Sequence, residues 1–209
     1  MFADCPAGAI RNNTNTSNAT ANDIFVWSEY LGRDFGVKAF TYAAEADPAA
    51  KLFINDYNLE SSTAKLDSLI AYVAEIRGRG AKVDGIGTQM HVSINTNKTQ
   101  IDNHFIKLAA TGLLVHISEL DIGVNTSNAT SIVFAEALET AQAEMYNYII
   151  TSYMRNIPKP QRYGVTIWGL LDNQSWRYKS GADYPLIYNA AGAKQKAYEA
   201  VLNALKSGL

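Results

Sequence analysis

Four times between Lys51 and Leu205 the sequence passes from a short apolar run to a longer stretch whose apolar residues recur at three- and four-residue steps. That alternation is the pattern of βα units, in which each strand is followed by a helix that returns the chain across one face of a parallel sheet. It constrains the fold more than any other feature. A parallel sheet has to be covered by its helices, and folds of this kind place their chemistry at the carboxyl ends of the strands.

The first strand reads as Lys51-Leu52-Phe53-Ile54-Asn55, followed by a helix with Leu66, Leu69, Ile70, Val73 and Ile76 on one face that stops near Gly78 and Gly80. The second, Val83 to Met90, leads to a helix from about Gln100 that buries Ile101, Phe105 and Leu108 and ends at Gly112. The third is the apolar run Leu113-Leu114-Val115-His116-Ile117-Ser118, ending on Glu119. Its helix is expected from about Ser131, after a Thr/Ser/Asn-rich loop, with Phe134, Leu138, Ala141, Met145 and Ile149 on one stripe. The fourth strand, Tyr163 to Leu170, precedes a loop and a last helix carrying Tyr198, Val201, Leu202 and Leu205. Ahead of these units Trp27 to Ala46 reads as a helix. Residues 1–26 read as an irregular leader, which leaves 27–209 as the folded α/β domain. Four βα units cannot close an eight-stranded barrel, and an open four-stranded sheet would leave backbone groups unpaired at its edges, so the chain reads as half of something.

Composition removes several classes of function. Lys and Arg total 18 against 20 Asp and Glu without a basic cluster, which argues against a nucleic-acid surface. No apolar stretch is long enough for a membrane span. The 12 Tyr and 3 Trp leave room for stacking on uncharged ligands such as sugars. Cys5 is the only cysteine, so no internal disulfide forms. The three histidines, His91, His104 and His116, lack ligand spacing; neither a metal nor another cofactor is expected.

The residues able to carry chemistry gather at the ends of the four strands. Side chains alternate along a strand, so Gln89 pairs in direction with His91, Glu119 with Asp121, and Thr166 with Trp168. The turn after the first strand adds Asn55, Asp56, Tyr57 and Asn58. In a barrel these positions converge on one cleft, where a histidine between two carboxylates orients them and tunes their charge. Singly, each has a plainer reading: a solvated strand end for Glu119, a hydrogen-bonded structural residue for His91, core for Trp168 and Trp176.

Taken jointly, Ala46-Asp47-Pro48 with KLFINDYNLE, VDGIGTQMHV, HISELDI, TIWGLLDNQSW and PLIYNAAGAKQKAYEAV resemble the carboxyl-terminal half of glycoside hydrolase family 10, the endo-1,4-β-xylanases. The resemblance runs from about Trp27 to Leu205 and implies about strands five to eight of a TIM (β/α)8 barrel. It places the nucleophile on Glu119, with His91 and Asp121 holding it. Gln89, Asn55, Tyr57, Trp168 and Trp176 fall on positions that bind the sugar.

The family is retaining, which implies attack by Glu119 on the anomeric carbon and a second carboxyl group about 5 Å away as acid and then base. The family takes that group from an Asn-Glu pair, and no such pair occurs upstream of Trp27. The expectation is therefore a chain that carries the nucleophile half of a xylanase and is weak or inactive by itself. Its partners would be xylan or xylo-oligosaccharide, together with a missing amino-terminal half or a second copy pairing through open strand edges. A non-catalytic xylan-binding remnant is the alternative. The substrate implies a secreted, cell-surface or periplasmic enzyme whose signal does not lie in this chain, since the start Met1-Phe2-Ala3-Asp4-Cys5 has no basic and apolar leader.

Overall fold

The computed structural model describes residues 31–207; the expected leader, Cys5 and the first four residues of the expected Trp27 to Ala46 helix lie outside them. Helix α1 (Phe35–Ala46) is followed by strand β1 (Phe53–Asp56), helix α2 (Thr63–Gly78), the short strands β2 (Gly85–Thr88) and β3 (His91–Ser93), helix α3 (Lys98–Ala109), the long strand β4 (Leu114–Gly123), helix α4 (Glu136–Asn156), strand β5 (Arg162–Ile167) and helix α5 (Lys196–Ser207). Every pairing between these strands is parallel. β1 lies on β2 and β2 on the first half of β4. β3 lies on the second half of β4, and β5 runs along its other side. The expected sheet of parallel strands with helices is present.

One face of the sheet carries the core. Ile54, Ile86, Val115, Ile117, Leu120 and Ile122 project from the strands onto Leu66, Leu69, Val73, Phe105, Leu108, Met145 and Ile149 of the helices, all buried. Helices α2 and α3 start where a side chain can take an unpaired backbone N–H: Ser62 accepts from Lys65 N and Asn97 from Gln100 N. The long helix α4 also turns polar groups inward to hold loop and strand carbonyls. Gln142 Nε2 donates to Ile122 O and Tyr184 O, Tyr146 Oη to Pro185 O, and Tyr153 Oη to Val115 O. Each meets a carbonyl that burial would otherwise leave costly.

The fourth strand ends at Ile167 rather than Leu170, and a 3-10 turn over Gly32–Asp34 interrupts the expected Trp27 to Ala46 helix; three further differences from the sequence reading have a local reason. The expected strand from Val83 to Met90 is only the short β2, and a separate strand, β3, follows it beyond Met90, whose φ of 62° lies in the left-handed region and turns the chain between the two. The third strand does not stop at Glu119; it continues to Gly123 because β3 pairs with Asp121, Ile122 and Gly123. Helix α4 begins at Glu136 rather than about Ser131. Asn125 ties the preceding loop down, its amide nitrogen donating to Ala129 O and Ala182 O, while Ile132 N bonds Gly181 O.

Candidate active site

β4 alternates cleanly up to Ile117, with Val115 and Ile117 in the core and His116 on the opposite, inner face. After a register shift between Ile117 and Leu120, the core positions become Leu120 and Ile122. A shift of this kind changes which residues face which side. Ser118, Glu119 and Asp121 thus end on the inner face, at the point where β2 stops pairing with β4 and β3 takes over.

Glu119 is 9% exposed and is approached from two sides. Asn55 Nδ2, from the end of β1, donates to Glu119 Oε1 at 3.0 Å. His91 Nε2, from the start of β3, stands 3.4 Å from Glu119 Oε2. Asn55 reaches across β2 because the intervening inner-face positions are Gly85 and Gly87, and the amide oxygen it turns away from Glu119 accepts from Ser118 Oγ at 2.5 Å. Backbone bonds complete the junction: Glu119 N donates to Gln89 O, and Gln89 N to Asp56 O.

Asp121 is fully buried and serves three donors. His91 Nδ1 lies 2.9 Å from Oδ2, so that nitrogen carries the proton. Trp176 Nε1 donates to the same oxygen at 2.8 Å, and Arg177 Nε to Oδ1 at 2.8 Å. One carboxylate therefore fixes the imidazole facing Glu119 and the indole beside it, and the guanidinium balances its charge. The Trp176 ring meets His91 edge to face with centroids 5.4 Å apart, and the Trp168 ring does so at 6.3 Å. Trp176 is 54% exposed and Trp168 46%, so both present open aromatic surface beside His91.

At the rim, Tyr57 is set by the turn after β1. The buried ammonium of Lys65 donates to Asp56 Oδ1 and Tyr57 O, each at 2.8 Å, and lies 3.7 Å from the centre of the Tyr57 ring. Burial raises the carboxyl pKa of nearby Glu60. Further along, burial pushes Asp172 up to about 6; it accepts from Leu186 N and Gln195 Nε2 and so ties the loop carrying Trp176 to the segment before α5.

Of the residues singled out in the sequence, the structure brings Glu119, His91, Asp121, Asn55, Trp168 and Trp176 into one cluster. Gln89 joins through its backbone, and Tyr57 stands at the edge over Lys65. Thr166 shares the inner face but bonds His116, with 3.0 Å between Oγ1 and Nε2. Four contributors escaped the sequence reading: Ser118, Gly87, Lys65 and Arg177. The consecutive polar pair Ser118-Glu119, breaking an otherwise alternating pattern, was the available signal for Ser118.

The chain matches the sequence profile of Glycosyl hydrolase family 10 over residues 9–204. It is 35% identical over 181 residues to an endo-1,4-beta-xylanase A of Thermoanaerobacterium saccharolyticum, covering 87% of this chain and 15% of that protein. It is 30% identical over 220 residues to the endo-1,4-beta-xylanase A of Cellvibrio japonicus, with 97% and 35% covered. Among solved structures, a thermostable mutant of a xylanase from Cellvibrio japonicus superposes with a TM-score of 0.80 at 30% identity, over 91% of this chain and 60% of that one. A mutant of xylanase A from P fluorescens subsp. cellulosa in complex with xylopentaose does so with the same TM-score at 29% identity. The chain thus spans less than two thirds of the length of these relatives.

Proposed function

The chain belongs to glycosyl hydrolase family 10, and on that footing we propose that it supplies the nucleophile side of a retaining endo-1,4-β-xylanase, as the carboxyl-terminal half, about strands five to eight, of the family's TIM barrel. The observation that carries this reading is a single carboxylate, Glu119, gripped by Asn55 and by His91, whose ring meets two exposed tryptophans.

In this reading xylose units stack on Trp168 and Trp176, which hold an uncharged pyranose without charge pairing. Glu119 attacks the anomeric carbon; the bond from that carbon to the leaving oxygen breaks, and water later opens the glycosyl-enzyme ester. Asn55 and His91 keep the carboxylate aimed, and Asp121 keeps His91 and Trp176 in place. The second carboxyl group, which protonates the leaving oxygen and then activates water, we assign to the amino-terminal half of the barrel, with a second copy of this chain as the other source. Without it, general acid help of about 100- to 10,000-fold is lost, so the chain by itself is weak on xylan. Xylan is a polymer met outside the cytoplasm, which puts the enzyme in a secreted, cell-surface or periplasmic setting.

The test is turnover of xylan and of an aryl xylobioside with an activated leaving group, by the wild type and Glu119→Ala. Turnover of the activated substrate that disappears in the variant supports the reading. Turnover of xylan by the chain alone would show that an acid lies within it or its dimer. Retained xylo-oligosaccharide binding with neither activity would replace the reading by a non-catalytic xylan-binding domain.

A further inference from the structure

Ser118 immediately precedes the carboxylate and is buried, and the register shift in β4 brings both residues to the inner face. Its hydroxyl donates to Asn55 Oδ1 at 2.5 Å, while Asn55 Nδ2 donates to Glu119 Oε1 at 3.0 Å. A primary amide has an oxygen end that only accepts and a nitrogen end that only donates. The carboxylate, which only accepts, takes the nitrogen end, and the hydroxyl of Ser118, by donating, anchors the oxygen end on the other side. With the amide turned over, two acceptor oxygens would face each other across about 3 Å in a site with little water. Asn55 is 1% exposed, so solvent does not take over the task. The site is also cleared for this arrangement: a β-carbon on Gly87 would stand 2.4 Å from Asn55 Oδ1.

We propose that Ser118 is a positioning residue for the nucleophile: its hydroxyl orients the Asn55 amide, which in turn holds Glu119 Oε1 and leaves the carboxylate aimed at the anomeric carbon. The proposal rests on the reading of Glu119 as the nucleophile, and it assigns to Ser118 a task carried by the hydroxyl alone and not by the volume of the side chain.

Threonine and valine at this position isolate that hydroxyl, since the two have nearly the same shape and both suit a strand. The probe is a dinitrophenyl xylobioside with fluorine on the sugar carbon next to the anomeric one. Its leaving group departs as dinitrophenolate without acid help. The bond from Glu119 Oε to the anomeric carbon forms as the bond to the aryl oxygen breaks, and the fluorine slows release so that the adduct accumulates. Dinitrophenolate release gives the rate, and intact mass with peptide mapping gives the site.

Ser118→Thr is expected to label Glu119 at the wild-type rate. Ser118→Val is expected to label about ten-fold more slowly at saturating probe, the size of one hydrogen bond, with the half-saturating concentration unchanged. Equal rates for Thr and Val would overturn the proposal, as would a Val variant altered only in half-saturation. A wild type that folds but is not labelled at Glu119 overturns the nucleophile reading itself, a different signature from equal labelling of both variants.

Discussion

A β-carbon on Gly87 would lie 2.4 Å from Asn55 Oδ1 and 3.1 Å from Asn55 Cγ. The empty inner surface of β2 is therefore what lets a residue of β1 reach the carboxylate on β4, two strands away. The same holds one step down the strand, where a β-carbon on Gly85 would meet the Phe53 ring at 2.1 Å. Phe53 in turn spans to Tyr163 of β5, with centroids 4.5 Å apart.

Gly87→Ala tests that clearance. The backbone at Gly87 is outside the left-handed region, so the cost of a methyl group is steric, and overpacking of this kind costs about 1–3 kcal/mol. We expect a lowered unfolding midpoint in denaturant together with labelling of Glu119 slowed on the order of 10- to 100-fold, because misplacement of the Asn55 amide would misaim the proposed nucleophile. A variant that loses stability but labels at the wild-type rate would separate Asn55 from the reaction.

Asp121→Asn should be more damaging to the fold than an ordinary surface change. Its oxygens take His91 Nδ1, Trp176 Nε1 and Arg177 Nε, and an amide presents donors where two of those partners need an acceptor. Breaking a buried charged pair on one side leaves the other charge uncompensated, and Arg177 is largely buried. A loss of about 2–4 kcal/mol is expected from chemical unfolding. A variant within 0.5 kcal/mol of wild type, the scale of a neutral surface change, would contradict the hub role.

Trp176→Phe keeps an aromatic face but removes the N–H that Asp121 holds. If the platform works because its ring is fixed, titration calorimetry with xylopentaose should show affinity reduced several-fold, and Trp176→Ala by on the order of ten-fold or more. Equal affinity for Phe and wild type would mean that the hydrogen bond serves folding only.

His104 gives the fold an acid limit. It is fully buried in α3, and burial lowers its pKa from 6.5 to about 3. The unfolded chain takes up this proton first, so the stability it allows is complete above pH 6.5 and is lost progressively as pH falls toward 3. Asp172 acts in the opposite sense: burial raises its pKa to about 6, so its contribution favours the fold at low pH and fades as pH rises from its ordinary value of 3.8 through that point. Replacing His104 by Leu leaves the Asp172 contribution unchanged. The stability difference between variant and wild type, followed by urea unfolding from pH 7 to pH 4, should therefore shift by a few kcal/mol in favour of the variant. A difference that does not change with pH would show that His104 titrates alike in both states.

Much of this was legible before the structure. Periodicity located the helices α2, α3 and α5 within a few residues, because their apolar stripes recur at the helical repeat and face one continuous core. It missed the start of α4, where side-chain bonds from Asn125 override a pattern that would otherwise read as helix. It also carried the second strand through to Met90 and missed β3 after it, since no local signal marks Met90 as a non-glycine residue with positive φ. Lys65 and Arg177 were passed over because Lys and Arg usually lie at the surface, and only the fold shows that their carboxylate partners, Asp56 and Asp121, 9 and 56 residues away, are buried.

Alternating apolar patterns were enough to dictate parallel βα units, and polar and aromatic residues at strand ends were enough to single out Glu119, His91, Asp121 and the two tryptophans as candidates for a site. Which way those groups face was decided only in the folded sheet. Strict alternation from Val115 would send Glu119 into the helix-covered core, where an unpaired carboxylate is prohibitively costly. One register shift in β4 turns it instead toward Asn55 and His91. Pairing register is a property of two strands together, and residues far apart in the chain, such as Gly87 beneath Asn55, supply the space that makes it possible.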